Sequence, residues 1–141
     1  MSENTRIVEQ WIDVLSRKAT AEIGDVFHAD GYVTYGAGGL PDAHGPAAIG
    51  DLLGKFYEGF PDLHCTVEEI FDADGGRVVG RFLTKATHTG AFLGLQPTGR
   101  TIAINGIAIY RIRDGKIAHE WNMDDLLGLM QQIGAVPAPG A

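Results

Sequence analysis

Residues 119–125 read HEWNMDD: three carboxylates, a histidine, a tryptophan and an amide in seven positions. Carboxylates and imidazoles are the side chains that move protons near neutral pH, so the cluster is a candidate acid–base centre. It also has the composition of a strand end followed by a helix cap, because LLGLMQQIG comes directly after it. In a strand, alternation decides which side chains act together. It places Glu120 and Asn122 on one face and His119, Trp121 and Met123 on the other.

The partner of this strand is TIAINGIAIYRIR, joined to it through Asp114-Gly115. A three-residue loop with Gly115 in the left-handed region pairs Arg113 with Ile117, which sets Ala108 opposite Asn122 and Tyr110 opposite Glu120. A two-residue turn sets Ala108 opposite Trp121 instead. Glu120 in an apolar interior would have a raised pKa suited to acid or base work, or would pair with Arg81 on a neighbouring strand. Arg81 is alternatively a donor fork for a substrate oxygen or developing enolate. Asp125 is read as a helix N-cap or a pocket-rim acid, and Asp124 as solvent-exposed or an alternative cap.

His88 stands just before TGAFLG, where it either braces that loop or faces a pocket mouth. Tyr35 and Tyr110 are candidates to line a cavity and orient a carbonyl. Trp11, Phe56, Phe60 and Phe92 are read as core. The histidines show no H-x-x-x-H spacing, so no metal is expected. Cys65 is alone in the chain and reads as a small buried hydrophobe.

The elements that position these residues follow from periodicity. Ile7, Val8, Trp11, Ile12 and Leu15 form one apolar helical face. AEIGDVF suggests a short helix with Thr20 as N-cap, and YVTYG a short strand. PDAHGP reads as a loop leading to a helix with Pro46 in its first turn and Ile49, Leu52, Leu53 and Phe56 inward. From Leu63 the period becomes two, with Leu63, Cys65, Val67 and Phe71 on one face. Asp74-Gly75-Gly76 turns the chain into RVVGRFLTKATH, and two further strands and the last helix complete it. Helices followed by an antiparallel meander give an α+β layout. The expected organisation is one domain over 1–134 with a flexible tail at 135–141.

The bulk composition excludes several function classes. Apolar residues make up 45% and charged residues 21%, as in folded globular chains, and the net charge of −7 without a basic cluster argues against nucleic acid and anionic membranes. No run approaches a membrane-spanning length, and the first residues lack a signal-peptide layout, so a cytoplasmic location is expected.

THTGAFLGLQPTGR, NGIAIYRIRDGKIAHEW and DLLGLMQQIG together resemble the SnoaL-like polyketide cyclases, a family within the nuclear-transport-factor-2 (NTF2-like) fold group. The resemblance runs from the first helix to Gly134 and is densest over residues 77–134. It implies a conical α+β barrel with helices on a strongly curved, mostly antiparallel sheet, an apolar pocket, and often a homodimer. It also implies proton abstraction by an aspartate on the last strand, assisted by a histidine, with no cofactor. Aligned on PTGR and DGKI, that aspartate falls on Asn122 and that histidine on Ala108, and the same alignment requires the three-residue loop.

The resulting expectation is a cofactor-independent cyclase, isomerase or hydrolase acting on a small, apolar, oxygenated substrate. Glu120, Asn122 and Asp125 are its candidate catalytic groups, with Asn122 orienting a carbonyl or water. Arg81, His88, Ala108, Tyr110 and Tyr35 are candidate substrate contacts. The alternative is a small-molecule binder that has lost the cyclase aspartate and histidine.

Overall fold

Ser2 opens the first helix, α1 (Glu3–Arg17), with its hydroxyl accepting the Thr5 backbone N–H at 3.0 Å, and Lys18 closes it in a left-handed conformation. In the computed structural model, which describes residues 1–35 and 40–140, a 3-10 turn over Thr20–Glu22 leads into the short α2 (Ile23–Val26). Thr20 is therefore not the helix cap expected for this segment: Ala19 holds that place and makes no side-chain cap bond. Strand β1 (Phe27–Tyr35) begins earlier than the YVTYG pattern suggested, and Gly36 of that pattern lies outside the described residues.

PDAHGP contains a two-residue strand, β2 (Ala43–His44), before α3 (Gly45–Gly59), whose first turn contains the proline as expected. Four longer strands follow: β3 (His64–Ala73), β4 (Arg77–Thr87), β5 (Thr101–Arg113) and β6 (Lys116–Asp124). The last helix is α4 (Leu126–Gln132). Past it, the Ala135 and Val136 N–H groups both bond the Met130 carbonyl.

The sheet order is β2-β1-β6-β5-β4-β3, antiparallel throughout except for the parallel β1–β6 pair. The sheet curves around α1, which lies against β3 and β4, and α3, which lies against β1. The enclosed core includes Val8, Trp11, Phe27, Ile49, Phe60, Val78, Ile104 and Ile117.

Two features of the register depart from simple alternation. In β3 the pairing shifts between Val67 and Glu69, so Ile70 takes the inward phase and Phe71 is turned out, 48% exposed. At the β5–β6 hairpin, Arg113 pairs with Lys116 across a two-residue turn, with Asp114 and Gly115 both at positive φ. A bulge between Arg111 and Ile112 then restores Ala108 opposite Asn122 and Tyr110 opposite Glu120. The expected pairing near the site is present, but a tight turn plus a bulge produces it, not a three-residue loop.

Candidate functional site

The inward phase of β6 carries Glu120, Asn122 and Asp124 into a partly open cavity of about 90 Å³. Its remaining wall is mostly apolar and includes Ile12, Leu52, Phe56, Leu63, Phe82 and Ile104. This cavity is smaller than the ~150 Å³ engineered cavity known to hold benzene. A larger ligand must therefore extend through its mouth.

Glu120 is only 4% exposed. One carboxylate oxygen accepts the Trp11 indole N–H at 2.9 Å, and the other accepts the Asn122 side-chain amide at 3.2 Å. Burial dominates and pushes its carboxyl up to about 7, although these two bonds and the Tyr110 hydroxyl oppose the shift. Tyr110, fully buried opposite it, is itself driven well above the ordinary phenol range, first by burial and then by the charge of Glu120.

Asp124 accepts a hydrogen bond from the Tyr35 hydroxyl at 2.5 Å. Its pKa is raised by burial, against the lowering effect of that bond. Gly106, directly across on β5, makes room for this carboxylate: a Cβ there would sit 2.0 Å from Asp124 Oδ1. Asp124 is therefore neither solvent-facing nor a cap, and it was the acid the residue pattern undervalued. The signal was present, since 120, 122 and 124 share parity. Trp11, read as core, is also a polar contact of the site.

The other candidates take different places. Asp125 is the N-cap of α4, accepting the Gly128 N–H at 2.8 Å, and does not line the cavity. Arg81 points away from the cavity on the outer face of β4, where it meets Glu69 at 3.5 Å, because its parity opposes that of Gly80 and Phe82. It is not the partner of Glu120. His88 is fully buried; its Nδ1 accepts the Thr98 N–H at 3.2 Å and lies 3.0 Å from the Thr98 hydroxyl, bracing the loop ahead of β5. It does not line the cavity, and neither does Ala108, which is buried opposite Asn122 on the adjacent strand. Tyr35 and Tyr110 do line it.

Cys65 also lines the cavity, with its thiol pushed up to about 11 chiefly by burial. On the opposite face of β6, His119 packs against Tyr32 and Trp121 and faces the Thr34 hydroxyl at 2.8 Å. Among the described residues, no group of three or more His, Cys, Asp and Glu side chains converges as metal ligands would.

A curved, mostly antiparallel six-stranded sheet with helices over its concave side has the NTF2-like fold. Comparison with known proteins narrows this class. Residues 5–133 match the SnoaL-like polyketide cyclase family, and the chain belongs to that family. It is 26% identical to the aklanonic acid methyl ester cyclase DnrD of Streptomyces peucetius, over 95% of this chain and 92% of that protein. It is 24% identical to the corresponding cyclase AcmA of Streptomyces galilaeus, with the same coverages. Among solved structures, a SnoaL-like polyketide cyclase from Jannaschia superposes with a TM-score of 0.83 at 21% identity, covering 96% of this chain and 94% of that one.

Proposed function

We propose that the protein is a cofactor-independent cyclase that closes a ring in a small, apolar, oxygenated, polyketide-like substrate. The observation that carries this reading is the pair of carboxylates, Glu120 and Asp124, set on one strand face inside an apolar cavity. Two acids with differently tuned surroundings can divide the roles of base and acid. Among the described residues, Asp124 has a single side-chain donor, Tyr35, whereas Glu120 is held by Trp11 and Asn122. Asp124 is thus the better placed base, taking a proton from a carbon beside a carbonyl. The carbanion attacks a second carbonyl of the same molecule, and the alkoxide formed takes a proton from Glu120, which is part-protonated near neutrality at a pKa of about 7. Before the next turnover Asp124 gives up the proton it took and Glu120 regains one, by exchange with water at the cavity mouth, so protons balance and the closure needs no oxidant. The names of the curated relatives support ring closure over isomerisation or hydrolysis.

The test is turnover of aromatic β-dicarbonyl esters by wild type, Asp124→Asn and Glu120→Gln, with folding checked by circular dichroism. Asp124→Asn should lose on the order of 10²–10⁴-fold in kcat/KM. Full activity in that variant would end the assignment. The second reading, a binder without turnover, draws on Asn122 and Ala108 standing where the family resemblance places an acid and a histidine. Ligand affinity without turnover across the whole panel would favour it.

We further propose a homodimer formed through the outer sheet face, where Ile109 is flanked by Val79 and Trp121, and Ile107 by Met123. Met123 and Ile107 are 58% and 52% exposed. Sedimentation velocity should show a dimer that Ile109→Lys converts to monomer, and a wild-type monomer at all concentrations rejects it.

A further inference from the structure

The Asn122 side chain lines the cavity with one half of its amide engaged and the other unpaired. Its Nδ2 donates to Glu120 Oε2 at 3.2 Å, while its Oδ1 is buried with no donor among the described residues. Rotating the amide would place Oδ1 against a carboxylate oxygen, so Glu120 in its ionised form, the larger share above about pH 7, holds the amide in this orientation, as distinct from the protonated form that serves as acid. A buried acceptor left without a donor is costly, and although Thr84, Cys65, Tyr35 and Tyr110 also line the cavity, none of them bonds Asn122 Oδ1. Among the described residues, no Lys, Arg or His lines the cavity.

We propose that Asn122 Oδ1 is the specificity acceptor of the cavity, reading a hydroxyl or N–H donor on the bound ligand. This rests on the cavity being the ligand site, and it narrows the ligand class to molecules that present a donor at this depth. It also narrows the expected role of Asn122 in orienting a carbonyl or water: an acceptor cannot orient a carbonyl oxygen, but it can hold a water or fix an enol, phenol or carbinol. Glu120 acts here as a positioning residue, because its carboxylate sets which end of the amide faces away from it.

Phenol and toluene test this directly, since they match in size and differ by hydroxyl against methyl. Titration calorimetry should give phenol an affinity roughly tenfold above toluene on wild type. In Asn122→Leu, which removes the acceptor at similar volume, the two should bind equally. The Asn122 side-chain amide resonances should shift with phenol and not with toluene, a readout that does not depend on the variant folding. Equal affinities on wild type, or a phenol preference that survives in a folded Asn122→Leu, overturns the acceptor role while leaving the pocket intact. No binding of either probe overturns the pocket and the acceptor together.

Discussion

The two faces of β6 have opposite characters although their residues alternate along one strand. The inner face presents Glu120, Asn122 and Asp124, polar groups enclosed by apolar walls, while the outer face presents Trp121 and Met123, apolar groups left exposed. The usual arrangement of a half-buried strand puts hydrophobes inside and polar groups outside. Its inversion over five residues shows that this part of the strand is shaped for something other than stability. Burying carboxylates costs free energy, and uncovering a tryptophan and a methionine recovers none. The first half of the same strand keeps the normal order, with Ile117 fully buried.

The sharpest way to break this comparison is to measure what the inner face costs. Burial raises the Glu120 carboxyl from its ordinary 4.5 to about 7, so the native state binds more protons than the unfolded chain between those values. Stability from this group is fully present below about pH 4.5 and is lost as pH rises through 7. Urea unfolding from pH 4.5 to 8 should therefore show wild type losing on the order of 3 kcal/mol relative to Glu120→Gln. If the difference between the two proteins stays constant over that range, water reaches Glu120 and the inner face is not the desolvated site described.

Much of this architecture could be read from residue patterns because it depends on short-range rules. Alternation assigned Glu120 and Asn122 to one face, and Pro46 marked the start of α3. What escaped depended on partners distant in sequence. Asp124 enters the cavity because Gly106 leaves space across the β5–β6 pair and Tyr35 supplies a hydroxyl from the parallel neighbour β1. Parity inside HEWNMDD puts Asp124 on the face of Glu120 and Asn122, but the space left by Gly106 and the hydroxyl of Tyr35 that keep it there cannot be inferred from that spacing. Charge leaves Arg81 open to pairing with Glu120 or to meeting a substrate oxygen, and strand parity, which points it outward, removes both. The hairpin shows a compensating error: a tight turn and a bulge at Arg111/Ile112 together give the same pairing at Asn122 as the looser loop expected.

Asp124 and Asp125 sharpen the comparison at the point where the strand ends. The two are chemically identical neighbours, yet one faces the cavity and the other accepts the Gly128 N–H as the cap of α4. The change of role coincides with the change of period, since β6 stops at Asp124 and the helix starts at Leu126. Gly128 is fitted to the cap, because a Cβ there would lie 2.2 Å from Asp125 Oδ2. Asp125→Ala should cost about 1 kcal/mol in urea unfolding and leave KM and pH optimum unchanged. Asp125→Asn, which keeps an acceptor oxygen, should recover most of that loss. An activity deficit in Asp125→Asn comparable to that of Asp124→Asn would mean that the boundary between proton chemistry and helix capping lies one residue later than these hydrogen bonds place it.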